Sequence, residues 1–205
     1  MLADMYLKDF LDKTASNEAV PGGGSVAALS SALAASLTAM VANLTISKKK
    51  YLEVNDEMME IVEKLELRKN EFVQLIDKDA NSFDSVLQAF KMPKETDEEK
   101  KLRSESIQIG MKYAAKVPLG VAIETSKLFK SIEYVVVNGN SNAVTDGLVA
   151  AMMARTAIKS ALYNVKINLS SIKDIEYVEE MTMQVNELDE FADKREKEIL
   201  LLVKL

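Results

Sequence analysis

Two short polar stretches hold the groups of this 205-residue chain best suited to chemistry. The first is Pro21-Gly22-Gly23-Gly24-Ser25, which stands just ahead of a long uncharged segment. Backbone N–H groups at the start of a helix, with no side chains in the way, form a site for an anion or a carbonyl oxygen. A tight turn that lets two helices approach is the competing reading, since glycine runs mostly mark backbone needs. The loop fits a relaxed GxGxxA pattern, but no strand precedes it and it lacks a P-loop lysine. The second stretch is Gly139-Asn140-Ser141-Asn142-Ala143-Val144-Thr145-Asp146, directly after Asn138. Carboxamides both donate and accept, so a cluster of them suits recognition of a pterin-like heterocycle. Asp146 near a helix N-terminus is expected to stay ionised and to serve as proton acceptor or cation stabiliser. Helix capping by Asp or Thr is the alternative there. Two smaller groups follow. Asn164 and Asn168 are four apart and share a helix face, with Asn168 read as a helix cap. Lys48, Lys49 and Lys50 sit at the C-terminal end of the uncharged segment, where cations are favoured.

Composition limits what these groups can do. Cysteine and histidine are both absent. That excludes disulfides, a thiol nucleophile and a Ser-His-Asp triad. A zinc centre would need carboxylates alone, so no metal site is expected. Acid–base work falls to Asp, Glu, Lys, Tyr or backbone groups. The net charge of −6 speaks against nucleic-acid binding. The first thirteen residues mix charge and apolar groups, so no signal peptide is expected, and absence of cysteine fits a reducing, cytoplasmic setting. Ala19–Ser47 carries no charge and is long enough to span a bilayer. Its Ser, Thr and Asn content fits a buried central helix better, so no membrane partner is expected.

The elements that must position these groups read as helices throughout. With three prolines, seven glycines and almost no β-branched alternation, the pattern predicts an all-α, single-domain helical bundle over residues 1–205, with buried, small-residue central helices. Tyr6, Phe10 and Leu11 predict a first helix near 4–14. Ser25 is expected to open a second, running to about Thr45. Asn55 or Asp56 starts a long third through Leu65, Phe72, Ile76, Phe83, Leu87 and Phe90. Thr96 and Glu99 form a capping box for a fourth, and Pro118 is expected to begin a fifth at its first turn. Val135–Val137 reads as a helix end. Thr145 or Asn142 caps a sixth helix to about Asn168, and a last amphipathic one covers Tyr177 to Val203.

Taken in order, AVPGGGSVAALSSALAASLTAMVANLT, KKKY, KDANSF (Lys78 to Phe83), AKVPL (Ala115 to Leu119), GNSNAVTD and NVKIN resemble the formiminotetrahydrofolate cyclodeaminase and methenyltetrahydrofolate cyclohydrolase family over nearly the whole chain. The resemblance implies a cyclodeaminase-like helical fold, a homodimer, and a folate site between helices near the glycine loop. It has no room for a formiminotransferase part. Many members read Ser-Asp where Thr145-Asp146 stands here, and the hydroxyl is kept. The resemblance implies conversion of 5-formiminotetrahydrofolate to 5,10-methenyltetrahydrofolate with loss of ammonia. Methenyltetrahydrofolate cyclohydrolase is the first alternative, and a non-catalytic helical module binding folate or a partner is the second. In this reading Asp146 is the catalytic group. Asn140, Asn142, Thr145 and Asn164 orient the ligand. Pro21, the Gly22–Gly24 amides and Ser25 hold ligand oxygens. Lys49, Lys50 and Tyr51 meet the glutamate tail. No cofactor beyond the tetrahydrofolate substrate, which carries one or more glutamates, is implied. The reading requires the two polar stretches to meet in space around a flat ring system.

Overall fold

The computed structural model describes residues 1–204. Among them the chain forms seven α-helices and no strand: α1 (Leu7–Thr14), α2 (Gly23–Asn43), α3 (Asn55–Lys91), α4 (Asp97–Ser126), α5 (Leu128–Asn138), α6 (Val144–Leu169) and α7 (Ile175–Leu201). Short 3₁₀ turns cover Leu2–Asp4, Lys49–Val54 and Ser141–Ala143. This is the all-α bundle that the sequence pattern predicts.

Helix α2 lies at the centre, packed chiefly against α3 and α6. Alanine makes that possible. Ala27, Ala28, Ala34 and Ala35 of α2 and Ala150, Ala151, Ala154, Ala157 and Ala161 of α6 have no exposed surface. Small side chains let helix axes approach to the short end of the packing range, and alanine holds a helix without side-chain entropy cost. Larger side chains then fill the outer shell. Phe72 of α3, Phe129 of α5, Leu162 of α6 and Ile199 of α7 are all essentially buried, and Phe129 meets Phe191 edge-on at 5.8 Å. Helix α7 buries Met181, Val185, Ala192 and Ile199 in the core, and ion pairs to α6 supplement this packing. Arg155 and Lys159 both reach Asp193 at 2.8 Å. Helix α2 is the one described helix long and apolar enough to cross a membrane, and 67% of its most apolar window is buried in the bundle.

Four boundaries differ from the sequence expectation. Helix α1 begins at Leu7, and of its expected apolar face only Phe10 is buried, with Tyr6 and Leu11 exposed. Pro118 lies inside α4 and does not start a new helix. A proline in a helix leaves the carbonyl four residues earlier without its N–H. Here that carbonyl belongs to Ala114, and the Asn168 side-chain amide donates to it at 3.0 Å. The interruption is thereby satisfied from a neighbouring helix, and Asn168 bridges two helices where a cap was expected. The α4–α5 joint falls at Lys127, which keeps helical angles of −70° and −18°. Finally, neither Thr145 nor Asn142 caps α6, whose N-cap is Ala143 without a side-chain bond. Asn140 caps the preceding 3₁₀ turn instead, accepting from the Asn142 amide. The capping box is present as expected, with Thr96 accepting from Glu99 N–H and Glu99 accepting in return.

Candidate functional site

The glycine loop opens α2 at Gly23, with Gly22 in the N-cap position and Val20–Pro21 in the cis form. Neither Gly22 nor the first turn places a side chain over the helix end. Gly22, Gly23 and Gly24 line a cavity of about 270 Å³ shared with α3, α4 and α6. Gly23 faces the Asn164 carboxamide closely, since a Cβ there would stand 3.0 Å from Asn164 Nδ2. Asn164 donates that nitrogen to the Ser160 carbonyl, which leaves its Oδ1 as an acceptor at the cavity wall. Asn168, Ser82 and Phe83 also line it.

The group that sequence reading missed is Asp79. It sits on α3 against the start of α2, accepting from Ser25 Oγ at 3.3 Å. Burial pushes its carboxyl above the ordinary carboxylate value, and the hydrogen bonds from Ser25 only partly offset this. A carboxyl group of this kind can hold a proton where most carboxylates cannot. It lies inside the KDANSF stretch, yet nothing in its spacing sets it apart from the 32 acidic residues of the chain. Gly24 is required by it: a Cβ at that position would fall 2.1 Å from Asp79 Oδ1. We expect Gly24→Ala to fold, because the carboxylate can swing aside, but to displace it by about an ångström and lower turnover roughly 100-fold. Steady-state kinetics beside a thermal melt checks both parts.

Ser25 does not face the cavity. It is fully buried, with its hydroxyl donated to the Ile76 carbonyl at 2.9 Å. Its part is to join α2 to α3 and to seat Asp79. Pro21 is likewise buried beneath the loop. The direct ligand contacts expected of this stretch therefore come down to Gly22–Gly24.

The remaining sequence candidates gather elsewhere. Asn140, Asn142, Thr145, Asp146, Lys49, Lys50 and Tyr51 lie around the other end of α2. Asn140 is 6% exposed and turned inward, with its N–H donated to Thr45 Oγ1 and its side-chain nitrogen to the Leu44 carbonyl. Its Oδ1 accepts from Asn142 N–H. Asn140 thus fixes the turn, with both its side-chain nitrogen and its side-chain oxygen engaged by the backbone. Asn142 and Thr145 are exposed, and Asp146 is half-buried in the first turn of α6. Lys49 and Lys50 are exposed. The Tyr51 hydroxyl accepts from Ser141 N–H at 3.0 Å. Bonds from the Ser141 side chain and backbone, with the Lys50 ammonium near the ring, draw its pKa down to about 8.

Within one chain the two polar stretches do not share a cleft. Helix α2 has 21 residues, so about 30 Å separates its ends. Helix α6 runs back alongside it, with Asn164 level with Gly23 and Asn140 level with Thr45. The expectation that Gly23 and Asp146 enclose one ligand fails for a single chain, because both belong to helices laid antiparallel.

A family profile described as formiminotransferase-cyclodeaminase matches residues 6–187. The chain belongs to this family. Among relatives, a methenyltetrahydrofolate cyclohydrolase of Methylorubrum extorquens is 37% identical over 92% of the chain and 90% of its own length. The formimidoyltransferase-cyclodeaminase of Gallus gallus is 32% identical over 95% of the chain, which spans 36% of that longer protein. The crystal structure of formiminotetrahydrofolate cyclodeaminase from Thermotoga maritima superposes with a TM-score of 0.86 at 31% identity, covering 97% of this chain and 96% of that one. Cyclodeaminase-family membership accounts for the matching bundle and for the order of the polar stretches along it.

Proposed function

We propose that this protein is a folate enzyme acting at the one-carbon bridge between N5 and N10, and that it converts 5-formiminotetrahydrofolate to 5,10-methenyltetrahydrofolate and ammonia. The observation that carries this reading is the Asp79–Gly24–Asn164 cavity at the start of α2, in a chain that superposes over nearly its full length on a cyclodeaminase. In the reaction N10 attacks the formimino carbon. The resulting carbon bears N5, N10 and an amino group. Its amine leaves as ammonia once protonated, and the methenyl cation remains. The N10 proton must depart and the leaving nitrogen must gain two. A carboxyl group with raised pKa can take the first and return it to the amine, and solvent supplies the second proton that the amine needs. The α2 amides would meet ligand oxygens, and Asn164 Oδ1 would accept from a ring N–H. Asp146 lies about 30 Å from this cavity within its own chain, so it would steady the developing cation from the partner of a homodimer. No cofactor beyond tetrahydrofolate is needed for these steps, and a cytoplasmic setting suits the substrate.

A second reading rests on the 37% identical relative, which is of nearly the same length and is a cyclohydrolase. In that reaction water adds to the methenyl carbon, giving 10-formyltetrahydrofolate and a proton. Absorbance at the methenyl-folate band separates the readings. A cyclodeaminase raises it from 5-formiminotetrahydrofolate. A cyclohydrolase bleaches supplied methenyltetrahydrofolate faster than buffer alone. A protein that does neither is no enzyme of this bridge.

A further inference from the structure

A second cavity lies along α4, between α3 and α7. It measures about 610 Å³, more than twice the glycine-loop cavity and within the roughly 300–1,000 Å³ usual for a ligand site. The two cavities share no lining residue. Leu75 of α3, Val117 of α4 and Met181 of α7 give this one an apolar floor, and Tyr177 adds an aromatic ring. The α7 wall is fixed in place. The Gln108 side chain accepts from Lys173 N–H at 2.7 Å and donates to the Ser171 carbonyl at 3.0 Å. Lys112 pairs with Asp174 at 2.6 Å, and the Tyr177 hydroxyl donates to the Lys112 carbonyl at 3.2 Å. The start of α7 is thereby clamped to α4, as a pre-formed site requires.

Gly120 sets this cavity apart. A Cβ there would have no neighbour within 4 Å, whereas at each of the other six glycines it would meet an atom at 3.4 Å or closer. Gly120 has no positive φ, and it stands inside α4, where glycine weakens a helix relative to alanine. Neither backbone nor packing asks for glycine at this position. What the missing side chain leaves is open space in the cavity. The charge at the rim is also unusual for a chain of net charge −6. Lys78 and Lys116 stand there against the single carboxylate of Glu180. Among the described residues neither lysine forms an ion pair, although lysines elsewhere on the surface commonly do.

We propose that the α3–α4–α7 cavity is a second binding site, for a small organic acid with a flat aromatic body. The body lies on Leu75, Val117 and Met181 in the space beside Gly120, and the acid group meets Lys78 and Lys116. An uncharged hydrocarbon would forgo both lysines, and an inorganic anion would leave the apolar floor in water. This inference does not depend on the folate reading. The probe is 8-anilinonaphthalene-1-sulfonate, an aromatic acid whose fluorescence rises in apolar surroundings. The wild-type protein should bind it saturably, one per chain, more weakly as salt is added. Lys78→Ala/Lys116→Ala should weaken binding about tenfold. Gly120→Leu fills the space and should abolish binding, with no loss of Tm. Gly120→Ala should raise Tm by about 1–4 °C. Tetrahydrofolate should leave the probe bound. Absence of saturable binding, or unchanged affinity in Gly120→Leu, overturns the proposal. Both lysines are exposed, so their double variant keeps the fold, and unchanged affinity there overturns it even where Gly120→Leu misfolds. Displacement of the probe by tetrahydrofolate joins this cavity to the folate site and overturns its standing as a second one.

Discussion

Asp79→Asn is expected to lower kcat by about 100- to 10,000-fold, the range of a lost general acid–base group, with KM changed by only a few-fold. The substitution keeps the shape of the side chain and an oxygen able to accept from Ser25, so the α2–α3 joint remains. What disappears is the proton. The same variant carries a pH signature. The native carboxyl titrates above its ordinary value of 3.8 because burial opposes its charge. Between those two pH values the folded state holds a proton that the unfolded state has released. The stabilising contribution is therefore complete below the ordinary value and lost as pH rises through the raised one. In Asp79→Asn that loss is absent. Thermal melts across the acid range should show a flatter profile and a Tm at neutral pH no lower than the wild-type value. Near-normal turnover in the variant would remove Asp79 from the chemistry, and a collapsed Tm would make it a structural residue.

Gly139→Ala should be the most damaging single-methyl change for stability. A Cβ at Gly139 would stand 2.3 Å from the Val135 carbonyl oxygen, with Val41 Cγ1 at 3.1 Å and Thr45 Oγ1 at 3.3 Å. The first of these is backbone at the end of α5 and cannot rotate away. Gly139 N–H already donates to that same carbonyl at 2.9 Å. Relief requires opening the joint where α2 ends, α5 ends and the asparagine turn begins. A cost of about 3 kcal/mol is expected, at the upper end for overpacking, which is a Tm drop of roughly 10 °C for a chain of this size. Differential scanning calorimetry measures it directly. A change below about 2 °C would show that the joint yields more easily than its contacts imply.

Much of the bundle was legible because helix signals are local. The Thr96–Glu99 box, the end of α5 after Val135–Val137 and the two small-residue central helices follow from spacing and composition alone. Pro118 misled because its outcome is decided by Asn168, fifty residues away, which takes up the carbonyl that the ring frees. The site was harder for the same reason. Ser25 and Asn140 have the right donors for a ligand, but a sequence shows the donors and not their partners. Ile76, Leu44 and Thr45 engage them first. Asp79 has the opposite history. Its type is ordinary, and only burial against the head of α2 makes it unusual.

The alanine contacts at the middle of the molecule give it a one-sided tolerance to substitution. In most cores a truncated side chain leaves a void, and alanine scanning maps what matters. Here Ala34, Ala35, Ala150, Ala151 and Ala154 are already at that floor and fully enclosed. There is almost nothing to cut away, and every added methyl must push two helices apart. Diversity along this lineage should therefore collect on α1, α3 and α7, while the central pair drifts only among Gly, Ala and Ser.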